Sequence, residues 1–460
     1  MNNKILKNWS VLTISNLLGQ VLGMFATIFV ARALLPTEYG YYSLVMIYAD
    51  MGLIVAALGM RQILIRELSR KPQFARQYLK TISLYQFLVS VPVIIFIVIH
   101  SYFSNQSLFE VSGASIGLMY CLLMWQMFSG IAFSHEEFIL PALLSLSERM
   151  LWLFLLWLAP SQWLTLSNIA FLFVSIQLLK SAILMILVYK KGYIAQTIEK
   201  SSQNLIKIAA PIYWVELLVI VTDHLPILFL SSNSPAEQVG YFSASLKLIL
   251  PIETMIATLM AVIMPSLSKA HGDDVLFKKM VSNSVIAIIV IGIVISFITT
   301  LLSDEIIYLI FGENYQAAAI VLKYQIWFAI LVAVLDFMGT ALIASNNQLK
   351  LGVISTIAAA ISLPIMWYSS YYGAEGLAIG FLIVGVFNVI YWWPYFQRLH
   401  GKPFSRTLTL YLSMALLISY LSANYIAVSV HLYVKIPIVL MLIGAFSYYL
   451  YKMYFIKKRQ

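Results

Sequence analysis

Residues 36–43 read PTEYGYYS and residues 235–243 read PAEQVGYFS, two versions of one phrase about 200 residues apart. Each follows a long apolar segment, 11–30 in the first case and 212–231 in the second, and each leads into another. Pro, Gly and aromatic side chains are common wherever helices turn at a membrane interface, so the match alone is short. Its equivalent position in both halves of an apolar chain points to a duplicated membrane protein, the way many transporters are built.

The surrounding composition agrees. Of 460 residues, 61% are hydrophobic and 10% are charged, and the mean hydropathy is +0.88. A soluble domain carries about 25% charged residues. A bilayer core about 30 Å thick needs roughly 20 apolar residues per helix. Lipid admits only helices or closed barrels, and long uninterrupted apolar runs exclude the barrel. The expected fold class is therefore an all-α polytopic membrane protein.

Hydropathy gives about fourteen spans. They lie near 9–30, 40–61, 82–102, 114–134, 142–160, 167–189, 211–231, 239–267, 281–302, 319–344, 351–371, 376–397, 407–426 and 433–454. Glu148 and Arg149 intrude on the start of the fifth. The N-terminus mimics a signal peptide, with Lys4 and Lys7 before an apolar run, but that run is long and more spans follow, so it reads as a retained first helix. Lys and Arg gather in alternate loops, notably at Arg61, Arg66, Arg70, Lys71, Lys190, Lys191, Lys278 and Lys279. The opposite loops keep little beyond Arg32 and Lys435. That bias places both termini in the cytoplasm and accounts for the net charge of +10 without nucleic acid.

With six spans between them, the two phrases enter the membrane in the same sense. The halves are then parallel repeats: a six-helix lobe over 5–200, a second over 205–400, and two added helices over 405–456. The connections 62–81, 190–210, 268–280 and 303–318 are the largest loops, and none is a domain. No phosphate-binding Gly-Lys-Ser/Thr loop or dinucleotide fingerprint is present. The single Cys121 excludes an intramolecular disulfide and a Cys-based metal site. His100, His135, His271, His400 and His431 fall near span ends without ligand spacing, and no catalytic constellation emerges. The expectation is no enzyme, no metal and no cofactor.

An ionisable group at mid-membrane costs about 2.5–3.5 kcal/mol on insertion scales, so it faces a cavity or a partner. Asp50 lies midway along the second span, Glu216, Asp223 and His224 on the seventh, Lys247 and Glu253 on the eighth, and Lys323 and Asp336 on the tenth. Glu216 and Asp223, seven apart, fall two turns apart on one helix face. Asp223, Asp50, Glu253, Glu216 and Asp336 read as ion-coupling carboxylates, or as permanent partners of a cation such as Lys247. Lys247 and Lys323 read as cations for an anionic substrate, or as side chains snorkelling to the interface. Arg32 and Glu38 close the first hairpin as an ion pair or an outer gate. Pro211, Pro226 and Pro251 either kink their helices for access or merely curve them.

The run from Asn16 through VARALLPTEYGYYSLVMIYADMGLIVAALGMRQILIREL resembles the opening of the bacterial polysaccharide-biosynthesis flippases, which translocate O-antigen and capsule repeat units. VGYFSASLKLILPIETMIATLMAVIMPSLSK and FGENYQAAAIVLKYQIW look alike too. Two departures are Leu35, where Gly often precedes the proline, and His224, where Arg is common. The resemblance implies the multidrug, oligosaccharidyl-lipid and polysaccharide exporter superfamily. It implies alternating access around a cavity lined by the first, second, seventh and eighth helices, with His224 joining the lysines at the anionic substrate. The implied cargo is a lipid-linked oligosaccharide, coupled to a proton or sodium ion in the cytoplasmic (inner) membrane. Membrane lipid and other polysaccharide-assembly proteins are the implied partners. A drug/cation antiporter of the same superfamily is the alternative.

Overall fold

The computed structural model describes residues 3–104, 108–194, 205–270, 273–345 and 347–400, with scattered residues between 419 and 441. All regular structure among them is helical. Eleven helices among the described residues are long and apolar enough to cross a membrane, and the apolar stretch Leu17–Ala33 of the first helix adds a shorter one. These account for the first twelve expected spans. The expected spans near 407–426 and 433–454 lie outside the described residues, apart from a few positions.

The chain forms two compact units, Met1–Gly240 and Tyr241–Gln460. The first contains α1 (Asn3–Ala33), α2 (Pro36–Ala57), α3 (Met60–Arg70), α4 (Ala75–Phe103), α5 (Ala114–Ser134), α6 (Ile139–Leu158), α7 (Leu166–Lys190), α8 (Leu205–Val219) and α9 (Leu225–Asn233). The helix α10 (Ala236–Ala270) begins in it. Here α1 packs on α6, and α5 packs on both α2 and α7. The second unit continues α10 and adds α11 (Asp274–Leu301), α12 (Ser303–Phe311), α13 (Ala318–Ala344), α14 (Gln348–Ser370) and α15 (Gly373–His400). Its centre is α13, which packs against α11 and α15.

Local chemistry sets the ends of these helices. Pro36 occupies the first turn of α2, where its missing N–H costs nothing. The helix stops because Leu58 and Gly59 both turn left-handed, at φ 54° and 64°. Glycine takes that conformation without penalty, and here it also lets Tyr213 N approach to 3.2 Å from where a Cβ would sit. Asp273 caps α11, its Oδ1 accepting from the backbone of Val275 at 3.0 Å and Leu276 at 3.1 Å.

Two expected loops turn out to be helical. Residues 60–70, mostly read as part of a connection, form α3, because Met60, Ile63, Leu64 and Leu68 recur at helical spacing and bury one face. That face joins Tyr78 and Leu79 of α4, Phe128 and Ile131 of α5, Leu184 of α7 and Ala209 of α8 in one core. Likewise 303–311 forms α12, which ends at Gly312 with φ 90°.

The two copies of the opening phrase meet. A Cβ added to Gly40 would overlap the carbonyl oxygen of Ala236, and one added to Gly240 would overlap that of Pro36. The contact is reciprocal: the glycine of each phrase, the fifth residue of its helix, lies on the first turn of the other helix. In lipid, where apolar surface is not expelled from the solvent, such small-residue approaches supply much of the packing.

Candidate functional site

The seventh span is broken. Between α8 and α9 the residues Ile220–His224 form a single π-helical turn. Pro226, with no N–H to return to the carbonyl of Thr222, removes a rung of the regular ladder at this point. Turns of this kind inside α-helices are frequent at functional sites. This one carries Asp223 and His224. Asp223 is exposed and accepts a 2.7 Å hydrogen bond from Thr222 Oγ1. His224 is half-buried, and its Nδ1 is buried with no hydrogen-bond partner.

Glu216 sits on α8 before the break, half-buried, with Gln62 Nε2 donating to it at 3.4 Å. The simple seven-residue count put Glu216 and Asp223 on one stripe. The wider π turn between them changes that register, because the count assumed an unbroken helix.

Several bonds tie the broken span to its neighbours within the first unit. Tyr213 OH donates to the Val55 carbonyl at 3.2 Å. The helix α2, which carries Asp50 on an exposed position, packs against the π turn. His100 of α4 joins three helices. Tyr48 OH of α2 lies 2.6 Å from Nδ1, and Ser232 Oγ of α9 lies 2.9 Å from Nε2. Ser232 in turn donates to the Leu228 carbonyl at 3.0 Å. With the imidazole neutral and protonated at Nε2, each of these groups donates once: Tyr48 to Nδ1, Nε2 to Ser232, Ser232 to Leu228. His100 had no ligand spacing in sequence, and nothing there signals its partners, which lie 52 and 132 residues away.

A second set of buried polar groups escaped the sequence reading. Glu148 of α6 and Lys180 of α7 form an ion pair at 3.5 Å, with side chains 7% and 8% exposed. Gln177 Nε2 donates to the same carboxylate at 3.1 Å. The Lys180 ammonium also lies over the Trp125 ring, 4.5 Å from its centre. The rule applied to the other charges at membrane depth would have found Lys180.

In the second unit, Lys247 and Glu253 are half-buried on α10 and Asp336 is exposed on α13. Lys323 is held by Asp304 of α12, with Nζ 3.0 Å from Oδ2. Lys435 pairs with Glu305 at 3.0 Å. Both carboxylates lie in the first turn of α12, where negative charge is favoured. Arg32 and Glu38 are both exposed at the α1–α2 turn.

Outside the spans, Glu137, Lys191 and Tyr193 cluster where α5 turns into α6 and α7 ends. Lys191 donates to Glu137, and Tyr193 OH does so at 3.3 Å. That hydrogen bond from the ammonium holds the Glu137 carboxyl below its usual range and raises Lys191 in return. Among the described residues no group of His, Cys, Asp and Glu has the arrangement of a metal site.

An all-helical membrane protein with ionisable groups at depth, gathered on and around a broken span, has the make-up of a carrier rather than an enzyme. Residues 5–271, more than half of the chain, match the family model for polysaccharide biosynthesis proteins, and the chain belongs to that family. No curated protein matches the sequence. Among solved structures, a lipid II flippase, MurJ, in an inward closed conformation superposes with a TM-score of 0.72 at 16% identity, over 96% of this chain and 99% of that one. An inward-facing multidrug resistance MATE family transporter of the MOP superfamily superposes with a TM-score of 0.64 at 12% identity, over 84% of this chain and 96% of that one. At such identities the likeness establishes a shared fold.

Proposed function

We propose that this protein carries a lipid-linked oligosaccharide, a sugar unit on a polyprenyl pyrophosphate, from the cytoplasmic to the outer face of a bacterial inner membrane by alternating access. Burying a single unsatisfied hydroxyl costs a few kcal/mol and a charged pyrophosphate far more, so passage needs a polar path that opens to one side at a time. The observation that carries this reading is the broken seventh span, which holds an exposed carboxylate, Asp223, beside the unpartnered Nδ1 of His224. Membership of the polysaccharide biosynthesis family supports the cargo.

In this reading a proton or sodium ion exchanges at Asp223, with Asp50, Glu216, Glu253 and Asp336 as further carboxylates on the path. Lys247 and His224 meet the pyrophosphate. The lobes 5–200 and 205–400 rock against each other, both termini are cytoplasmic, and Arg32 and Glu38 stand at the outer mouth.

The test is to delete the gene and follow lipid-linked repeat units. They should accumulate on the cytoplasmic face and disappear from the outer face. Normal delivery to the outer face, in a strain without a redundant carrier, defeats the reading.

One observation favours the second reading, a drug/cation antiporter. Lys323 is neutralised by Asp304, which removes one of the two lysines offered to an anion. An antiporter of cations keeps its transport when Lys247 becomes Ala, whereas the glycan carrier loses most of its own.

A further inference from the structure

The hairpin of α14 and α15 holds a crevice of about 700 Å³ that the reading above leaves unused. Its lining changes character along its length. At the turn are Tyr368, Tyr372 and Glu375; deeper lie Pro364, Ile365, Ile379 and Ile383. Glu375 and Ile383 are eight residues apart on one helix, so the crevice runs about 12 Å into the membrane from its polar end. Glycines let the two helices close along one side: a Cβ on Gly376 would fall 2.7 Å from the Ser369 carbonyl oxygen, and one on Gly380 would overlap the Ser369 hydroxyl.

The polar end has a definite chemistry. Tyr368 and Tyr372 are 65% and 64% exposed, and their rings meet edge to face at 5.5 Å. Their hydroxyls bond each other at 2.8 Å. Among the described residues no hydrogen bond or ion pair holds the Glu375 carboxylate, although Tyr324 of α13 lies within its electrostatic reach. A half-buried carboxylate lining the same crevice as two aromatic rings attracts a cation, by charge and through the ring faces. The apolar floor below it suits a hydrocarbon chain. A free cation would leave that floor empty, and a free sugar would bury hydroxyls against it.

We propose that this crevice binds a membrane lipid with an ammonium headgroup. The ammonium lies between Glu375 and the Tyr368–Tyr372 pair, and an acyl chain lies along Pro364, Ile365, Ile379 and Ile383. A primary ammonium offers three donors, for the carboxylate and the two hydroxyl oxygens. The site requires neither the glycan cargo nor the ion coupling, so its failure leaves the transport reading untouched.

The test uses the full-length protein in bicelles of phosphatidylethanolamine and phosphatidylglycerol in equal parts, with native mass spectrometry of the lipids that stay bound. Wild type should retain the ethanolamine lipid over the glycerol lipid by about fivefold or more, the scale of one cation–π or charge-assisted contact. Glu375→Gln should bring that ratio close to one with an unchanged melting temperature. Ile379→Trp, which fills the apolar end, should reduce retention of both lipids. Equal retention by wild type overturns the proposal without any variant, as does undiminished selectivity in a folded Glu375→Gln. If Glu375→Gln does not fold, the double variant Tyr368→Phe/Tyr372→Phe replaces it. That variant keeps the rings and removes the hydroxyls, so it should lower the ratio; an unchanged ratio counts against the site.

Discussion

Glu148 and Lys180 form a buried ion pair whose members depend on each other. Both ions are almost fully buried and 3.5 Å apart, so removing one strands the other. Lys180→Met should destabilise the protein by about 3–5 kcal/mol, read as a fall in melting temperature in detergent. The double variant Lys180→Met/Glu148→Gln should recover most of that loss, and equal stability of single and double variants would count against an obligate pair. His100 is a second such residue. His100→Ala removes the 2.6 Å bond to the buried Tyr48 hydroxyl, a cost of about 0.5–1.5 kcal/mol. Tyr48→Phe removes the same bond, so combining it with His100→Ala should add little. The Glu137–Lys191 contact gives a weaker, pH-dependent effect. Glu137 titrates below its unfolded value, so its contribution is present above about pH 4.3 and is lost as pH falls through the depressed folded value. Lys191 titrates above its unfolded value, so its share is present below about pH 10.4 and is lost as pH rises through the raised one. The pair is largely solvated, which limits the effect to roughly 0.2–1 kcal/mol. Glu137→Gln should lower stability by that amount in the neutral range, and its melting temperature should converge on that of wild type as pH falls below the depressed Glu137 value.

Helix placement was legible wherever one apolar run means one span, and α2, α5, α7 and α13 fall close to their expected positions. What hydropathy averages away was not legible. The helix α3 was hidden because a charged, amphipathic segment reads as a loop when only mean hydropathy is scored. The π turn was invisible because hydrogen-bond register leaves no trace in composition; Pro226 was its only hint. The pairing of Glu148 with Lys180 needs α6 and α7 side by side, which neither helix encodes alone. The Gly40 and Gly240 crossing was half legible, since the phrases matched but nothing in them said they touch. At this scale the prediction concerns coupling. Gly40→Ala and Gly240→Ala each force the first turns of α2 and α10 apart, so each should lower stability and transport. Because both act on one reciprocal contact, the double variant should cost clearly less than the sum of the two. Strict additivity, measured by melting temperature, would show that the two glycines do not share a contact.

For the whole molecule, orientation is the quantity that the charge bias predicts and chemistry can read. The only cysteine, Cys121, is buried, so new cysteines report with little background. Arg32→Cys should react with an impermeant thiol reagent added to intact cells, and Lys71→Cys only after the membrane is opened; both positions are exposed. The reverse pattern would invert the topology and with it the direction of transport. The π turn of the seventh span bears on how this chain is to be compared with its relatives. A π turn is what a regular helix becomes when it accepts one extra residue without ending. Each residue of an α-helix advances about 100°, so α9 is out of phase with α8 by that angle. Written beside a relative whose seventh span is unbroken, the two halves of this helix should therefore align only with a one-residue gap between Ile220 and His224. A gapless alignment would assign the facing residues of every position beyond the turn to the wrong side of the helix.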